Sequence, residues 1–149
     1  MVIVRPANRR DRDAWLRLRV TLWPDGSQEE HRHEIAQFFA GDAREPLEIL
    51  VAEDERSDLV GFVELSIRPC AEGCRSNQVA YLEGWFVAPE ARRQGIGRAL
   101  VAAAEAWARD RGCTEFASDS HPENVVSVAA HQAVGFADVG LVRCFRKDL

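Results

Sequence analysis

The sequence has no run of apolar residues as long as the ~18 that a membrane-spanning helix requires. Its first residues, MVIVRPANRRDRD, also lack the apolar stretch of a secretory signal peptide. Both absences predict a cytoplasmic protein. In that reducing compartment a domain with an adequate core gains little from disulfides, so we expect the four cysteines to be free thiols.

Basic residues do not outnumber acidic residues in this sequence. The formal net charge is −5, whereas a general nucleic-acid binder needs a basic face to displace counterions from phosphates. This balance is compatible with a polycationic partner. It is also ordinary for a cytosolic protein that must stay soluble, so it does not identify a substrate by itself.

Residues that could bind a metal ion are scarce. Cys70 and Cys74 could form half of a zinc site, but no second pair of cysteines or histidines has a matching spacing. His31 and His33 lie beside Glu34 in a polar, helix-like stretch, where a solvent-facing surface accounts for them. We therefore expect no metal.

Length and composition are those of one folded domain. The chain has 149 residues, of which 46% are hydrophobic and 29% charged. A domain of this size buries roughly 70% of the surface that its unfolded chain exposes. Because no repeat or low-complexity linker divides the sequence, we expect a single domain over residues 1–149.

Strand-like and helix-like patterns follow one another along the chain. Apolar runs predict strands at residues 2–4, 48–52, 59–67, 79–87, 114–117 and 139–146. Apolar residues at helical spacing predict helices at 8–23, 27–40, 97–111 and 124–133. Ser27 and Glu30 have the form of a capping box at the start of the second helix. The order predicts an α+β fold with a mixed, mostly antiparallel central sheet flanked by helices.

Two carboxylates are the first candidates for chemistry. The predicted strand at 79–87 is apolar on both faces apart from Glu83, and the adjacent Gly84 indicates a bulge. Asp119 follows the next strand, so we expect both carboxylates to line one cleft, where they could hold ammonium groups. Asp119 could instead be a turn residue or helix cap ahead of Pro122.

The segment from Arg92 to Gly97 joins this strand to the most strongly predicted helix. Glycines at 95 and 97 let the backbone approach a ligand closely, and amides at a helix amino terminus bind anions. Together with Arg92, Arg93 and Arg98, they predict a pyrophosphate cradle. The alternative is an arginine-rich, solvated turn that only starts a helix.

Two common phosphate motifs do not fit this segment. A Walker loop ends in Gly-Lys-Ser/Thr, but Gly97 is followed by Arg98 and Ala99. A Rossmann fingerprint requires a small residue where Leu100 stands. The segment resembles instead the R/Q-x-x-G-x-G/A motif of the GNAT superfamily of N-acetyltransferases, in which the preceding strand ends Phe-Val-x-Pro, as here.

The resemblance to the GNAT superfamily extends over essentially the whole domain. Asn124, Ser127, His131 and Gly135-Phe136 are similar to the family's later signature. In that family the asparagine contacts the pantetheine arm and the position of His131 lies near the sulfur. The resemblance implies acetyl-coenzyme A as cosubstrate, bound by Phe86, Val87, Arg92, Arg93, Gln94, Gly95, Gly97, Arg98 and Asn124.

Within the superfamily, four segments resemble the aminoglycoside 6'-N-acetyltransferases of type I: residues 22–24, 82–87, 117–124 and 131–136. The resemblance implies an antibiotic-inactivating enzyme that forms a homodimer. By analogy with that family, Trp23 and Asp25 would close over the sugar, although Trp23 can also be a core aromatic. The implied acceptor-binding residues are Trp23, Asp25, Glu83, Asp119, Glu123 and Asp138.

The expected chemistry is direct attack of a neutral amine on the thioester, because the motifs indicate no covalent relay. Glu83 or Asp119 is the expected base, acting directly or through water. Backbone amides near Phe86 and Val87 are expected to hold the thioester oxygen. Two other functions stay open: acetylation of another small amine or a protein amino terminus, and coenzyme binding without catalysis.

The proton donor to the departing thiolate is the least defined part. Many GNAT enzymes use a tyrosine there, but the only tyrosine is Tyr81, and Phe145 stands where relatives can have one. His131, Cys144 or solvent could take this role, and a thiol pKa near ~8.5 makes a donor optional. His131 could also be a packed helix residue. Glu83, Asp119 and His131 are therefore the catalytic candidates.

Overall fold

A computed structural model describes residues 1–43 and 45–149. Short 3-10 turns at Arg9–Asp11 and Pro89–Ala91 precede the first and third helices. The strands and helices, numbered in chain order, are β1 (Ile3–Pro6), α1 (Arg12–Leu22), α2 (Gln28–Ala40), β2 (Glu48–Glu53), β3 (Leu59–Arg68), β4 (Val79–Val87), α3 (Ile96–Asp110), β5 (Phe116–Ser118) and α4 (Val125–Ala133).

The strands form one sheet in the order β1-β2-β3-β4-β5. The first four pair antiparallel, whereas β5 runs parallel to β4. The predicted fold class, α+β with a mixed and mostly antiparallel sheet, is confirmed. β4 pairs with β5 only from Ala80 to Leu82 and then continues to Val87. The two strands therefore part beyond Leu82.

Helices cover both faces of the sheet. A Cβ added to Gly61 would lie 3.2 Å from Leu100 of α3, whereas Glu64 of the same strand bonds Trp15 of α1. Because side chains alternate between the faces of a strand, α1 and α3 lie on opposite faces. The buried face of α3 consists of Ile96, Leu100, Val101, Ala104 and Ala108.

Local sequence signals explain where the helices start and stop. Asn8 and Asp11 form a capping box ahead of α1, and Ser27 and Glu30 form the predicted one at α2. Gly41 ends α2 in the left-handed conformation, with φ of 79°. These boundaries follow from local hydrogen bonding, which is why the sequence predicts them well.

The strand predicted at 139–146 is wrong. Residues 137–149 form no helix or strand in the structure and are exposed along their whole length. Its apolar side chains are in water, with Leu141 76% and Phe145 89% exposed. A strand, however, needs a neighbour to pair its backbone groups, and this segment pairs with none of the described strands.

None of the helices in the described parts of the chain is long and apolar enough to cross a membrane.

Candidate coenzyme and acceptor site

The turn between β4 and α3 has the backbone of an anion cradle. Arg93 and Gly95 both have positive φ, 62° and 80°, and Gly95 stands at the amino-terminal cap of α3. No side chain caps this helix, and residues 92–95 are exposed. A helix start without a side-chain cap has amides available for a ligand. The cradle therefore fits a pyrophosphate group such as that of coenzyme A.

Two arginines of the cradle donate hydrogen bonds to the backbone around it. The Arg92 Nε donates to the Val87 carbonyl oxygen at 2.8 Å, and its guanidinium lies 5.7 Å from the centre of the buried Phe86 ring. The Arg98 Nη2 donates to the Ala133 carbonyl oxygen at 2.9 Å, which joins α3 to α4. Arg92 thus ties the cradle to the end of β4, while Arg93 and Gln94 stay exposed.

A line of side chains runs from the cradle into the gap between β4 and β5. A Cβ on Gly97 would come within 3.2 Å of the Trp85 ring, so this glycine permits close packing. The Trp85 ring meets the His131 ring edge-on, with 5.2 Å between centroids. His131 therefore lies one aromatic ring away from the cradle, at the point where the strands part.

His131 contacts two serine residues. Its Nδ1 lies 2.7 Å from the Ser127 carbonyl oxygen, and its Nε2 lies 2.9 Å from the Ser118 hydroxyl. Because a carbonyl only accepts hydrogen bonds, the Nδ1 carries a proton, and the Nε2 is the nitrogen that can exchange one with Ser118. The Ser118 hydroxyl also lies 3.1 Å from the Leu82 carbonyl oxygen. Sequence reasoning missed Ser118, although it lies in the resembling segment 117–124.

Glu83 occupies the bulge that the sequence predicts. Glu64 pairs with Gly84 and Leu65 with Leu82, so Glu83 is the extra residue of β4. Its carboxylate accepts hydrogen bonds from the Ser66 hydroxyl and from Arg68, whose Nε and Nη2 lie at 2.9 and 2.7 Å. The hydrogen bond to Glu83 is the main cause that raises the pKa of Arg68.

Asp119 joins the same group through Tyr81. The Tyr81 hydroxyl donates to Asp119 Oδ2 at 2.5 Å, and the Arg68 guanidinium stacks 3.6 Å from the centre of the Tyr81 ring. Burial, followed by the bond to Asp119, raises the pKa of Tyr81 above its usual value. The two carboxylates therefore lie on one connected cluster. The sequence does not reveal Arg68 and Tyr81 as their partners.

Trp23 packs beside this cluster, at the carboxyl end of α1. A Cβ on Gly84 would lie 2.6 Å from its ring, and its centroid is 6.4 Å from that of Phe62. Trp23 is half-buried, and Asp25 two residues on is exposed. Trp23 thus packs against the core and also borders the residue that follows Glu83.

Other candidate residues lie at the surface. Glu123 is exposed, and the Asp138 carboxylate accepts from the Gly140 amide in a turn. Among the described contacts, neither meets Glu83 or Asp119. The side-chain oxygen Oδ1 of Asn124 accepts from the Ser127 amide at 3.1 Å and so caps α4, which leaves its side-chain NH2 group for a ligand.

The interpretation of His31 as a solvent-facing residue is wrong. Its side chain is 5% exposed, because it lies one turn before the fully buried Ile35 on the face of α2 that packs inward. His33 is exposed as expected. No group of histidine, cysteine or acidic residues in the described chain could hold a metal ion, and all four cysteines are free.

Comparison with known proteins fits this arrangement of fold and cradle. Residues 12–136 match the family model described as "Acetyltransferase (GNAT) family". The chain belongs to the GNAT acetyltransferase family.

Two relatives that match over almost their full length share one name. An aminoglycoside N(6')-acetyltransferase type 1 from Klebsiella aerogenes is 55% identical over 147 residues, which cover 99% of this chain and 97% of the relative. A protein of the same name from Stenotrophomonas maltophilia is 42% identical, with 98% and 93% covered.

Several solved structures are similar over the whole chain, among them two aminoglycoside acetyltransferases. The acetyltransferase AAC(6')-Iy, bound to the bisubstrate analogue CoA-S-monomethyl-acetylneamine, has a TM-score of 0.92 at 33% identity and covers 100% of this chain and 99% of its own. The aminoglycoside 6'-N-acetyltransferase AAC(6')-Ih from Acinetobacter baumannii has a TM-score of 0.91 at 37% identity, with the same coverage.

Proposed function

We propose that the protein is an aminoglycoside 6'-N-acetyltransferase, which transfers acetyl from acetyl-coenzyme A to the 6'-amine of aminoglycosides and so confers antibiotic resistance. The observation that carries the proposal is the 55% identity, over almost the full length of both chains, to the Klebsiella aerogenes relative of that name. The geometry agrees with it, because the anion cradle follows β4, Glu83 lies on β4, and Asp119 follows the neighbouring β5.

The cradle is the proposed site of the coenzyme's pyrophosphate. The amides after Gly95 and the positive end of α3 attract the phosphates, and the exposed Arg93 adds charge. Arg92 and Arg98 hold the turn in place, Gly97 packs against Trp85, and the exposed Gln94 is proposed to contact the phosphates. The Asn124 NH2 group is the proposed contact for the pantetheine arm, which would then run along the gap beyond Leu82.

The acceptor's ammonium groups are proposed to meet the carboxylate cluster. Glu83 is already paired with Arg68, so this pair is neutral as a whole. Among the described residues, Asp119 accepts only from the neutral Tyr81 hydroxyl, so it keeps its net charge and an Oδ1 with no partner there. Asp119 is therefore the proposed base, and Glu83 an orienting anchor, with Trp23 and Asp25 beside it. The surface residues Glu123 and Asp138 are proposed to add negative charge for the acceptor's remaining ammonium groups.

The chemical step is proposed as direct transfer. Asp119 removes a proton from the 6'-ammonium, and the neutral nitrogen attacks the carbonyl carbon of the thioester. Backbone amides near Phe86 and Val87 hold the developing oxyanion, each donor being worth roughly 10²–10³ in rate. As the carbon–sulfur bond breaks, the attacking nitrogen releases its second proton to solvent, and the departing sulfur takes a proton from solvent. His131 and Ser118 line the gap where this exchange takes place.

A thiol-release assay tests the proposed acceptor. Purified protein and acetyl-coenzyme A are mixed with two aminoglycosides that differ only by an amine or a hydroxyl at the 6' carbon. We expect turnover with the amine alone. Equal turnover would place the acceptor nitrogen elsewhere on the sugar, and no turnover despite coenzyme binding would favour a different amine or a non-catalytic role.

We also propose that the protein acts as a homodimer in the cytoplasm. Residues 137–149 carry large apolar side chains in water, and β5 leaves one edge of the sheet without a partner among the described strands. A second copy of the chain could cover this segment and pair with that edge. Cell fractionation tests the location.

Analytical ultracentrifugation tests the dimer. The double substitution of Leu141 and Phe145 by Ser should shift the protein from dimer to monomer. The matched control is Ile3→Ser, because Ile3 is also exposed, at 62%, but lies on the opposite edge of the sheet. A wild-type monomer, or a dimer unaffected by the double substitution, would contradict this assembly.

A further inference from the structure

A buried polar cluster lies between α1, α2 and β3, apart from both the cradle and the carboxylates. It consists of Trp15, Arg19, His31, Glu34 and Glu64. Glu64 is 2% exposed and accepts from Arg19 Nε at 2.7 Å and from Trp15 Nε1 at 3.1 Å. Burial raises the pKa of Glu64, and Arg19 opposes that rise.

Arg19 is held in this cluster from several sides. Its Nη2 lies 3.2 Å from Glu64 Oε1 and 2.6 Å from the half-exposed Glu34 carboxylate. Burial acts to lower the pKa of Arg19, but the two carboxylates outweigh it and raise the value. Arg19 is therefore a fixed cation, and its remaining Nη1 points at His31.

The hydrogen bonds of His31 define its protonation state. Arg19 Nη1 lies 3.3 Å from the His31 Nδ1, and the His31 Nε2 lies 3.0 Å from the Trp23 carbonyl oxygen. A guanidinium only donates hydrogen bonds, and a carbonyl only accepts them. Both bonds form only when His31 is neutral and carries its proton on Nε2.

Protonation of His31 would break this arrangement. A proton on Nδ1 would face a donor and place a second positive charge against Arg19. Among the described residues, the other charged groups that bond to this cluster and its loop are Glu64 on β3 and Glu30 and Glu34 on α2. Glu64 is already bonded to Arg19 and Trp15, Glu34 to Arg19, and Glu30 to the Ser27 amide.

His31 also supports the loop that carries Trp23. A Cβ on Gly26 would lie 3.0 Å from the His31 Nε2, so the ring packs under the loop as well as bonding its first carbonyl. The Trp23 ring lies 5.0 Å from the Arg19 guanidinium and packs on Gly84, the residue after Glu83. The cluster thus connects a buried histidine to the wall beside the acceptor carboxylates.

We infer that His31 is a positioning residue for the acceptor site, which in its neutral form holds Trp23 and the loop at residues 23–27 against β4. The inference rests on the proposed function, since its kinetic consequence is weaker aminoglycoside binding. Its structural consequence, a loosened loop, is independent of any substrate.

Three variants distinguish a positioning role of His31 from a general effect on the fold. His31→Phe removes both hydrogen bonds, and we expect the acceptor KM to rise about tenfold while the acetyl-coenzyme A KM stays constant. His31→Gln should preserve wild-type values near neutral pH, because its amide can accept from Arg19 and donate to Trp23. His33→Gln, on the exposed face of the same helix, is the control and should match wild type.

The pH dependence gives a second readout, which also holds if His31→Phe does not fold. In acid, the protection factors at residues 23–27, which correct for the slower intrinsic exchange at low pH, should fall in the wild type, because a protonated His31 ring would lose its bond to Arg19. In His31→Gln they should not, since glutamine does not titrate. Exchange is measured on the free protein, so it tests the inference even if aminoglycosides are not the substrate.

Several results would overturn the inference. One is a His31→Phe variant with wild-type acceptor KM and unchanged exchange at residues 23–27. Another is an equal rise in KM for both substrates, which indicates general damage to the fold. A His31→Gln variant with the wild-type acid response would refute the role of the neutral histidine.

Discussion

Glu83 and Asp119 are both carboxylates of the proposed acceptor site, yet their surroundings differ. Arg68 neutralises Glu83, whereas a neutral hydroxyl is the partner of Asp119. We expect Asp119→Asn to lower kcat/KM by about 100-fold or more, as the loss of a positioned base does. Coenzyme affinity, measured by calorimetry, should not change.

Glu83→Gln should act mainly on acceptor binding. The substitution leaves the Arg68 cation without its partner, next to a polycationic substrate, so the acceptor KM should rise more than kcat falls. Asp58→Asn, an exposed change in the β2–β3 turn, serves both carboxylate variants as the control for loss of one negative charge. Wild-type kinetics in both Asp119→Asn and Glu83→Gln would refute the carboxylate mechanism.

Tyr81 is the single tyrosine of the chain, so its ionisation can be followed directly by ultraviolet absorbance. Burial and Asp119 raise its pKa, so the folded protein should show no tyrosinate near pH 10, where an unfolded chain titrates. The folded state then holds a proton that the unfolded state has lost, so stability should fall as pH rises above about 10. Tyrosinate at the ordinary pH in the folded protein would contradict this environment.

At the residue scale, the sequence singles out Glu83 but does not predict the residues that bond to it. Glu83 stands out because its neighbours in the strand are apolar, and its bulge is confirmed. Arg68 reaches Glu83 only through the register of β3 and β4, and Asp119 reaches Tyr81 only through the pairing of β4 with β5. Such pairing is a tertiary property, and no local pattern reports it.

At the element scale, the contact between the α1–α2 loop and β4 depends on Gly84. Gly84→Ala would place a methyl group 2.6 Å from the Trp23 ring, so Trp23 must move. We expect the free energy of unfolding to fall by about 1–3 kcal/mol and the acceptor KM to rise several-fold. Chemical denaturation and steady-state kinetics measure the two effects.

The matched control for Gly84→Ala is the same substitution in a Trp23→Ala background. Without the ring there is nothing to displace, so the added methyl group should cost little there. An equal loss of stability in both backgrounds would mean that the contact with Trp23 is not the reason for glycine at position 84.

Helices are the elements that the sequence predicts most reliably here. Ser27 with Glu30, Gly41 and the apolar face of α3 act within a few residues of the chain, and all are confirmed. The segment at 139–146 has the composition of a strand but no partner in one copy of the chain. The burial of His31 is not visible in its own polar helix, because it comes from the contacts with Arg19 of α1 and with the loop at residues 23–27.

On the scale of the whole molecule, β4 connects the two halves of the proposed site. Its early residues pair with β5 and carry Tyr81, its bulge carries Glu83, and its end leads into the cradle at Arg92. Helices on both sheet faces hold this strand in place. The parting of β4 from β5 therefore creates a gap between a phosphate cradle and a pair of carboxylates, where an acyl group can meet an amine.

The most direct test of the proposed function is the structure of the product. Purified protein is incubated with acetyl-coenzyme A and an aminoglycoside that carries several amines, and the product is analysed by mass spectrometry and nuclear magnetic resonance. The account predicts one added acetyl group, attached to the 6' nitrogen. An acetyl group on any other nitrogen, or no acetylated product with active coenzyme binding, would contradict it.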